Sequence, residues 1–263
     1  MSELEKYPLS VVILTKNEEK RLEDCLRSVS WASDIVILDD CSADQTKVVA
    51  EKYQARFFER AMDVEGRHRN YGYSLAKEKW VLSLDADERM TPELSEEIKR
   101  VVVQDNPSIN GYSMLRRNYI KDYWVRYGGW YTYPVLKMFR KDRFLFKEEE
   151  VHPVAVMDGP VEPLKGDIIH YSYKDFSDFV LKLNHQTTLE AKKWFRTGRE
   201  MTLSHALRRT VDRFFRSWIL KKGYKDGFVG FAVALMAGLY QILSYAKYWE
   251  MKQNKQSMCV KER

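Results

Sequence analysis

An apolar run, Val81 to Leu84, leads straight into Asp85-Ala86-Asp87-Glu88, three acids in four positions. Buried carboxylates without partners are costly, so acids at the end of a buried strand need a reason to be there. Two aspartates flanking one small residue turn toward the same side if the chain leaves extended geometry there. They then present hard oxygen ligands suited to Mg²⁺ or Mn²⁺. Such a cation keeps part of its water and is shared with substrate phosphates. There it neutralises a diphosphate leaving group. The chain contains no GxxxxGK[ST] loop, so phosphate handling falls to a metal and to nearby arginines such as Arg67 and Arg69. Helix capping is the competing explanation for acids that precede helices; it suits Asp44 and Glu93 better than the Asp85–Asp87 pair.

The hydrophobic pattern shows which elements place these acids. Leu9 to Leu14 reads as a buried strand. Leu22, Leu26 and Val29 share one face of a following helix. "DIVILDD" is a second strand ending at Asp39 and Asp40, and Ser42, Asp44 and Thr46 open a second helix. "ARFFER" is a third strand, "GRHRNYGYSLAKEKW" a third helix and "VLSLDADE" a fourth strand. Thr91-Pro92-Glu93 then starts another helix, with Thr91 as its cap and Pro92 in its first position. This alternation predicts an α/β fold with a mostly parallel sheet. Ligands on such sheets collect at the carboxyl ends of the strands, where Glu18, Asp39, Asp85 and Asp87 fall.

The 263 residues suffice for one large domain, or one domain with an extension. The content of 44% hydrophobic and 31% charged residues is that of a globular protein. The net charge of +6 hides an asymmetry: residues 1–110 carry 16 Lys/Arg against 22 Asp/Glu, whereas residues 111–263 carry 28 against 16. A basic half predicts an anionic partner. Without a recognised nucleic-acid motif, an anionic membrane surface is expected and nucleic acid is not. Three cysteines without metal-like spacing indicate free thiols in a reducing compartment. "MSELEKYPLS" lacks a basic segment followed by an apolar core, so no secretory signal is expected. In the C-terminal quarter, Lys174–Asp226 carries 13 Lys/Arg against 6 Asp/Glu. Residues 227–246 form an uncharged run about long enough to span a bilayer at roughly 1.5 Å per residue. Gln241, Ser244 and its glycines weaken a span; a buried core helix, an interfacial hairpin and a true span are the alternatives, and a monotopic hairpin is the favoured expectation. The expected division is residues 1–173 as the α/β domain and 174–263 as a helical, membrane-associated extension.

Three segments, "SVVILTKNEEKRLEDCLRSV", "IVILDDCSADQT" and "RNYGYSLAKEKWVLSLDADE", together resemble the donor half of family 2 glycosyltransferases, across about residues 9–110. That resemblance implies the GT-A fold, a Rossmann-like mostly parallel sheet with flanking helices. It also implies transfer of a sugar, with inversion, from a nucleotide diphosphate sugar held with Mg²⁺ or Mn²⁺. Carried over by position, Thr15 and Glu18 lie beside the nucleoside and Asp39 accepts a hydrogen bond from the base, uracil. Arg69 sits near the diphosphate, and Asp85 and Asp87 approach ribose, diphosphate and metal. "GGWYTYPVLKMFRKD", "EEVHPV", "GDIIHYSYKDFSDFVLKLNHQTTLEAKKW" and "DGFVGFAVALMAGLYQILSYAKYWE" are similar to bacterial glycosyltransferases of the lipopolysaccharide inner core. This narrower likeness implies a UDP-glucose donor, a glycolipid acceptor and a place at the cytoplasmic face of the bacterial inner membrane, peripheral or monotopic. Sugar transfer to a polyprenyl phosphate and a catalytically silent carbohydrate-binding module are the rival expectations.

An inverting transfer needs a base for the acceptor hydroxyl. "KEEEVHPV" offers Glu148, Glu149, Glu150 and His152. Relatives often carry an acid directly after this histidine, and here Pro153 stands in its place. Glu150 and His152 are therefore the catalytic candidates. His170, ending an apolar run, reads as a hydrogen-bonded structural residue. Residues 111–134 are rich in aromatics and arginines. Trp130 and Tyr131, after Gly128-Gly129, are the candidates for stacking on acceptor sugar, while Arg116, Arg117 and Arg126 suit phosphorylated sugar. The competing reading of this stretch is a half-buried hairpin of strand-forming aromatics.

Overall fold

The computed structural model describes residues 5–148 and 154–261, with side chains to residue 254. The chain forms two compact units: Met1–Arg117 with Tyr133–His170, and Asn118–Thr132 with Tyr171–Arg263.

The four expected strands are β1 (Tyr7–Thr15), β2 (Ala32–Asp39), β3 (Arg56–Glu59) and β4 (Trp80–Asp85), joined by α1 (Leu22–Ser28), α2 (Thr46–Lys52) and α3 (Glu65–Ser74). After the short β5 (Glu88–Met90) comes α4 (Pro92–Gln104). Thr91 Oγ1 accepts from the Leu94 amide at 3.3 Å, so the cap forms as its sequence requires. The remaining strands are β6 (Gly111–Ile120), β7 (Tyr123–Trp124), β8 (Val135–Arg140), β9 (Phe144–Phe146), β10 (Ala155–Met157) and β11 (Val161–Tyr173).

One sheet runs in the order β3-β2-β1-β4-β8-β6-β11-β5, with β7 paired to the end of β6. Its first four strands are parallel. Beyond β4 the chain adds β8 antiparallel to both β4 and β6, and β5 antiparallel to β11. Helical crossovers join the strands of the parallel quartet, whereas β8 and β5 take antiparallel partners from distant parts of the chain. The sheet as a whole is thus mixed.

Helices cover both faces of the quartet, which is why its strands are nearly continuous apolar runs. Successive residues point to opposite faces. Val11 and Ile13 pack with Leu22, Leu26, Leu94 and Ile98 on one side. Val12 packs with Val36, Tyr73 and Phe139 on the other. Ile13 and Leu94 are 0% exposed, so truncating either to alanine should cost about 2–5 kcal/mol. Close approach makes Gly166 irreplaceable: a β-carbon there would lie 2.5 Å from Leu94 Cα, at the start of α4.

The second unit is mostly helical: α5 (Phe176–Arg196), α6 (Leu203–Phe215) and α7 (Gly227–Lys261). Asp175 caps α5 by accepting from the Asp178 amide at 2.8 Å, and Thr202 caps α6 through the His205 amide. The apolar run at 227–246 does not fold back as a hairpin; it is the first part of the unbroken α7. Val233, Ala234, Gln241, Ser244 and Tyr248 are buried on one side of α7, at helical spacing. Ser244 satisfies its hydroxyl internally by donating to Tyr240 O at 2.7 Å. A helix with such a stripe is stabilised by packing along its length and has no need to reverse.

Candidate active site

β1 lies between β2 and β4, and the register brings three strand ends level: Thr15 stands opposite Asp39, and Leu14 opposite Asp85. Thr15 Oγ1 donates to Asp39 Oδ1 at 2.8 Å. The Ser42 hydroxyl and amide also donate to Asp39, at 2.6 and 2.7 Å. Asp39 is only 1% exposed, and these bonds compensate its burial while fixing the loop after β2. Arg21 Nε donates to Glu18 Oε2 at 2.7 Å, and the same guanidinium lies 3.8 Å from Asp87 Oδ2. Glu18 therefore reaches the aspartate pair through Arg21.

At the end of β4 the chain turns sharply. The Ala86 amide donates to Leu14 O at 3.2 Å, and the Asp85 amide donates to Glu88 Oε2 at 3.0 Å. Glu88 is fully buried. Its partner is Lys137 from β8, whose Nζ lies 2.5 Å from Glu88 Oε2 and 3.2 Å from Asp85 Oδ2. Arg69 from α3 donates to Asp85 Oδ1 at 3.3 Å and is oriented by Glu65 at 3.0 Å. Arg116 Nη1 is 3.7 Å from Glu88 Oε1. His170, opposite Glu88 in the β5–β11 pair, places Nε2 3.6 Å from Asp87 Oδ1.

Electrostatics keep Asp85, Lys137 and Arg69 ionised. Burial pushes the Asp85 carboxyl up, but Lys137 and Arg69 outweigh it and hold the carboxyl well below the usual range. Burial pulls the Lys137 amine down, but Asp85 and Glu88 outweigh it and hold the amine above its ordinary value. Arg69 is likewise raised, with Asp85 and other anions outweighing burial. Nearby Cys25 stays a thiol, pushed up to about 12 by burial.

Among the described residues, no three His, Cys, Asp or Glu side chains form a metal cage. The donor set nevertheless suits Mg²⁺ or Mn²⁺, because such ions bind through one or two carboxylates together with substrate phosphates rather than through a complete protein shell. Asp87 and Asp85 would supply the oxygens and His170 an imidazole nitrogen. Asp85 also accepts from Arg69 and Lys137, and Asp87 stands between Arg21 and His170; both are ligand candidates.

Of the expected residues, Thr15 with Asp39, and Arg69 with Asp85 and Asp87, come together at these strand ends. His170 adjoins Asp87 and so belongs to the cluster. Arg67 turns instead to Asp63 and Glu148, at 3.0 and 2.9 Å, and Arg117 pairs with Asp167 at 2.7 Å. Trp130 and Tyr131 belong to the second unit. The Trp130 ring packs on Tyr173 and Phe179 at centroid distances of 5.9 and 5.8 Å. Tyr131 meets Trp124 edge-on at 5.4 Å. Glu150 and His152 lie outside the described residues. Lys137, Arg21 and Glu88 were missed as site residues. Lys137 left one signal: a lone lysine inside the apolar "VLKMF".

The chain is similar to the lipopolysaccharide core biosynthesis glycosyltransferase LpsC of Rhizobium meliloti, at 24% identity and 93% coverage of each chain. It is also 24% identical to an uncharacterized glycosyltransferase of Rickettsia bellii, covering 95% of this chain and 89% of that one. Among solved structures, residues 1–349 of TarS from Staphylococcus aureus align over 90% of both chains with a TM-score of 0.46 and 17% identity. Residues 10–155 match the family model described as Glycosyl transferase family 2, more than half of the chain, and the chain therefore belongs to that family of glycosyltransferases.

Proposed function

We propose that this glycosyltransferase moves a sugar, glucose from UDP-glucose, onto a membrane glycolipid of the lipopolysaccharide inner core, with inversion at the anomeric carbon. The observation that carries the reading is the convergence of Asp85, Asp87, Arg69 and Lys137 at the ends of adjoining strands. Its narrowing to lipopolysaccharide rests on the similarity to LpsC over 93% of each chain.

In this reading Thr15, Glu18 and Asp39 line the nucleoside side. Asp39 offers the base an acceptor held in place by Thr15 and Ser42. Asp87, with Asp85 and His170, holds Mg²⁺ or Mn²⁺, which when bound neutralises charge on the departing diphosphate. Arg69 adds a fixed cation for that charge, positioned by Glu65. Lys137 keeps Asp85 ionised, and Glu88 holds Lys137 in place beside it. Glu150 or His152 takes the proton of the acceptor hydroxyl.

The surface of the second unit supports a cytoplasmic membrane location. Leu203, Leu207, Val211 and Phe215 follow at every fourth position of α6 and are all exposed. Leu220 and Phe228 are each 75% exposed. Phe214 and Trp218 instead pack on Phe231. An amphipathic helix with such a stripe lies in a membrane interface, and the basic charge of the unit favours anionic lipid.

The test is transfer of labelled sugar to lipopolysaccharide truncated to its inner core, with a panel of nucleotide sugars as donors. UDP-glucose should give the fastest transfer. Absence of product with every donor and this acceptor, from protein that still binds UDP-sugar, would overturn the acceptor assignment.

A further inference from the structure

Arg208, Arg209 and Arg213 of α6 and Arg216 just beyond its end line a cavity of about 540 Å³ together with Asp212, Lys221 and Trp130. The wall around Gly128 is tied down on both sides. The Gly128 amide donates to Lys221 O at 2.9 Å, and Ser217 Oγ donates to Gly128 O at 3.1 Å. Gly128 adopts φ +69 there, a left-handed geometry natural to glycine.

Five cations thus share one concave space. Arg216 has an acid, Asp212, at 3.3 Å. Among the described residues, no carboxylate lies within 4.0 Å of Arg208, Arg209, Arg213 or Lys221. Arg213 lies over the Tyr240 ring at 5.5 Å. Burial lowers the pKa of Arg209, and Arg213, Arg199 and Arg208 lower it further. Asp212, which also lines the cavity, answers Arg216 alone, and the surplus of positive charge is stabilised by an anion. Guanidinium forks match the geometry of phosphate. The volume falls in the range of small-molecule sites, about 300–1,000 Å³, and exceeds what one inorganic ion requires. Trp130 adds an apolar aromatic wall, the kind of surface on which sugar C–H groups stack.

We propose that this cavity binds a phosphorylated saccharide, its phosphate held by Arg208, Arg209 and Arg213 and its ring by Trp130. The binding stands on the cavity alone; identifying that saccharide as part of the acceptor rests on the function proposed above. The recognised chemistry is a phosphate ester, which free inorganic phosphate and anionic lipid headgroups mimic in part.

The experiment is calorimetric titration of the full-length protein with four probes: glucose 6-phosphate, glucose, inorganic phosphate and phosphatidylglycerol vesicles. Glucose 6-phosphate should bind more tightly than inorganic phosphate, and glucose should give no measurable binding. Arg209→Gln with Arg213→Gln should weaken glucose 6-phosphate by about 10- to 100-fold, as loss of charge-assisted hydrogen bonds does, while UDP-sugar binding is unchanged. Trp130→Ala should erase the preference for glucose 6-phosphate over phosphate. Equal affinity for phosphate and glucose 6-phosphate, an unaltered double variant, or binding of vesicles alone would each overturn the proposal. Should the double variant lose its thermal transition, the exposed single change Arg208→Gln replaces it, with the same direction expected. Failure of transfer with cavity binding intact would count against the proposed function and not against the cavity.

Discussion

Around Asp85, carboxylates meet cations delivered by other elements: Lys137 from β8, Arg69 from α3 and Arg116 from β6. Along α6, by contrast, Arg208, Arg209 and Arg213 stand together with no acid in salt-bridge range among the described residues. Both regions concentrate charge, but the first is matched and largely buried while the second is unmatched and open. A matched network is built before any ligand arrives, so its geometry is part of the fold and losing one member leaves a buried charge uncompensated. An unmatched cluster gains its counter-charge only from a partner, so losing one cation relieves repulsion as much as it removes a contact. The first arrangement suits a site that must hold catalytic groups in place; the second suits recognition.

This contrast is broken or sharpened most strongly by removing one cation from each region. Lys137→Met should destabilise the protein by about 3–5 kcal/mol, because it strands Glu88 beside Asp85. Arg208→Gln should stay within about 0.5 kcal/mol of wild type, as exposed substitutions do. Urea unfolding of both variants is the measurement, and similar losses would erase the distinction. Next in size, Glu150→Gln should lower turnover by about 100-fold, typical of a lost general base, with UDP-sugar affinity kept. If His152→Ala slows transfer instead, the histidine is the base; if neither does, the base lies elsewhere. A smaller effect is expected from Phe215→Asp with Phe228→Asp, which should move the protein from the membrane fraction toward the soluble fraction without changing donor binding. Wild-type protein that ignores anionic liposomes would make the exposed stripe of α6 irrelevant to membranes.

The smallest effect concerns pH. Asp85 is held below the ordinary carboxyl value near 3.9. Its contribution is complete above that value and is lost as pH falls through the lowered one. Thermal melts of wild type should therefore show a steep acid limb below about pH 4, and Asp85→Asn a shallower one. Identical limbs would mean that other carboxylates dominate acid unfolding.

Much of this was legible in the sequence where the deciding interactions are local. Leu9 to Leu14 had to be a strand covered on both faces, and Thr91-Pro92 had to open a helix; both are found. The aspartates fall at the end of β4 because the apolar run stops there. The antiparallel half of the sheet was hidden, since β8 joins β4 across some 50 intervening residues and pairing at that separation leaves no local pattern. Lys137 was hidden for the same reason: only the folded sheet shows that it meets Glu88. The hairpin expectation at 227–246 failed because glycine and glutamine were read as interruptions, whereas Gln241 and Ser244 sit on the packed side of a continuous helix. Trp130 looked free to stack on sugar, yet part of its ring is committed to Tyr173 and Phe179.

The central claim is that Asp87 at the end of β4 holds the donor diphosphate through a divalent cation. The direct measurement is UDP release from UDP-glucose as Mn²⁺ is titrated, in wild type and in Asp87→Asn, with the acceptor saturating. Wild-type turnover should vanish in excess EDTA and return with Mn²⁺. The variant should keep its melting behaviour but lose about 10²- to 10³-fold in turnover, the size expected when transition-state charge loses one stabilising group, and added metal should not restore it. Full activity in EDTA, or a variant that responds to Mn²⁺ as wild type does, would contradict the account.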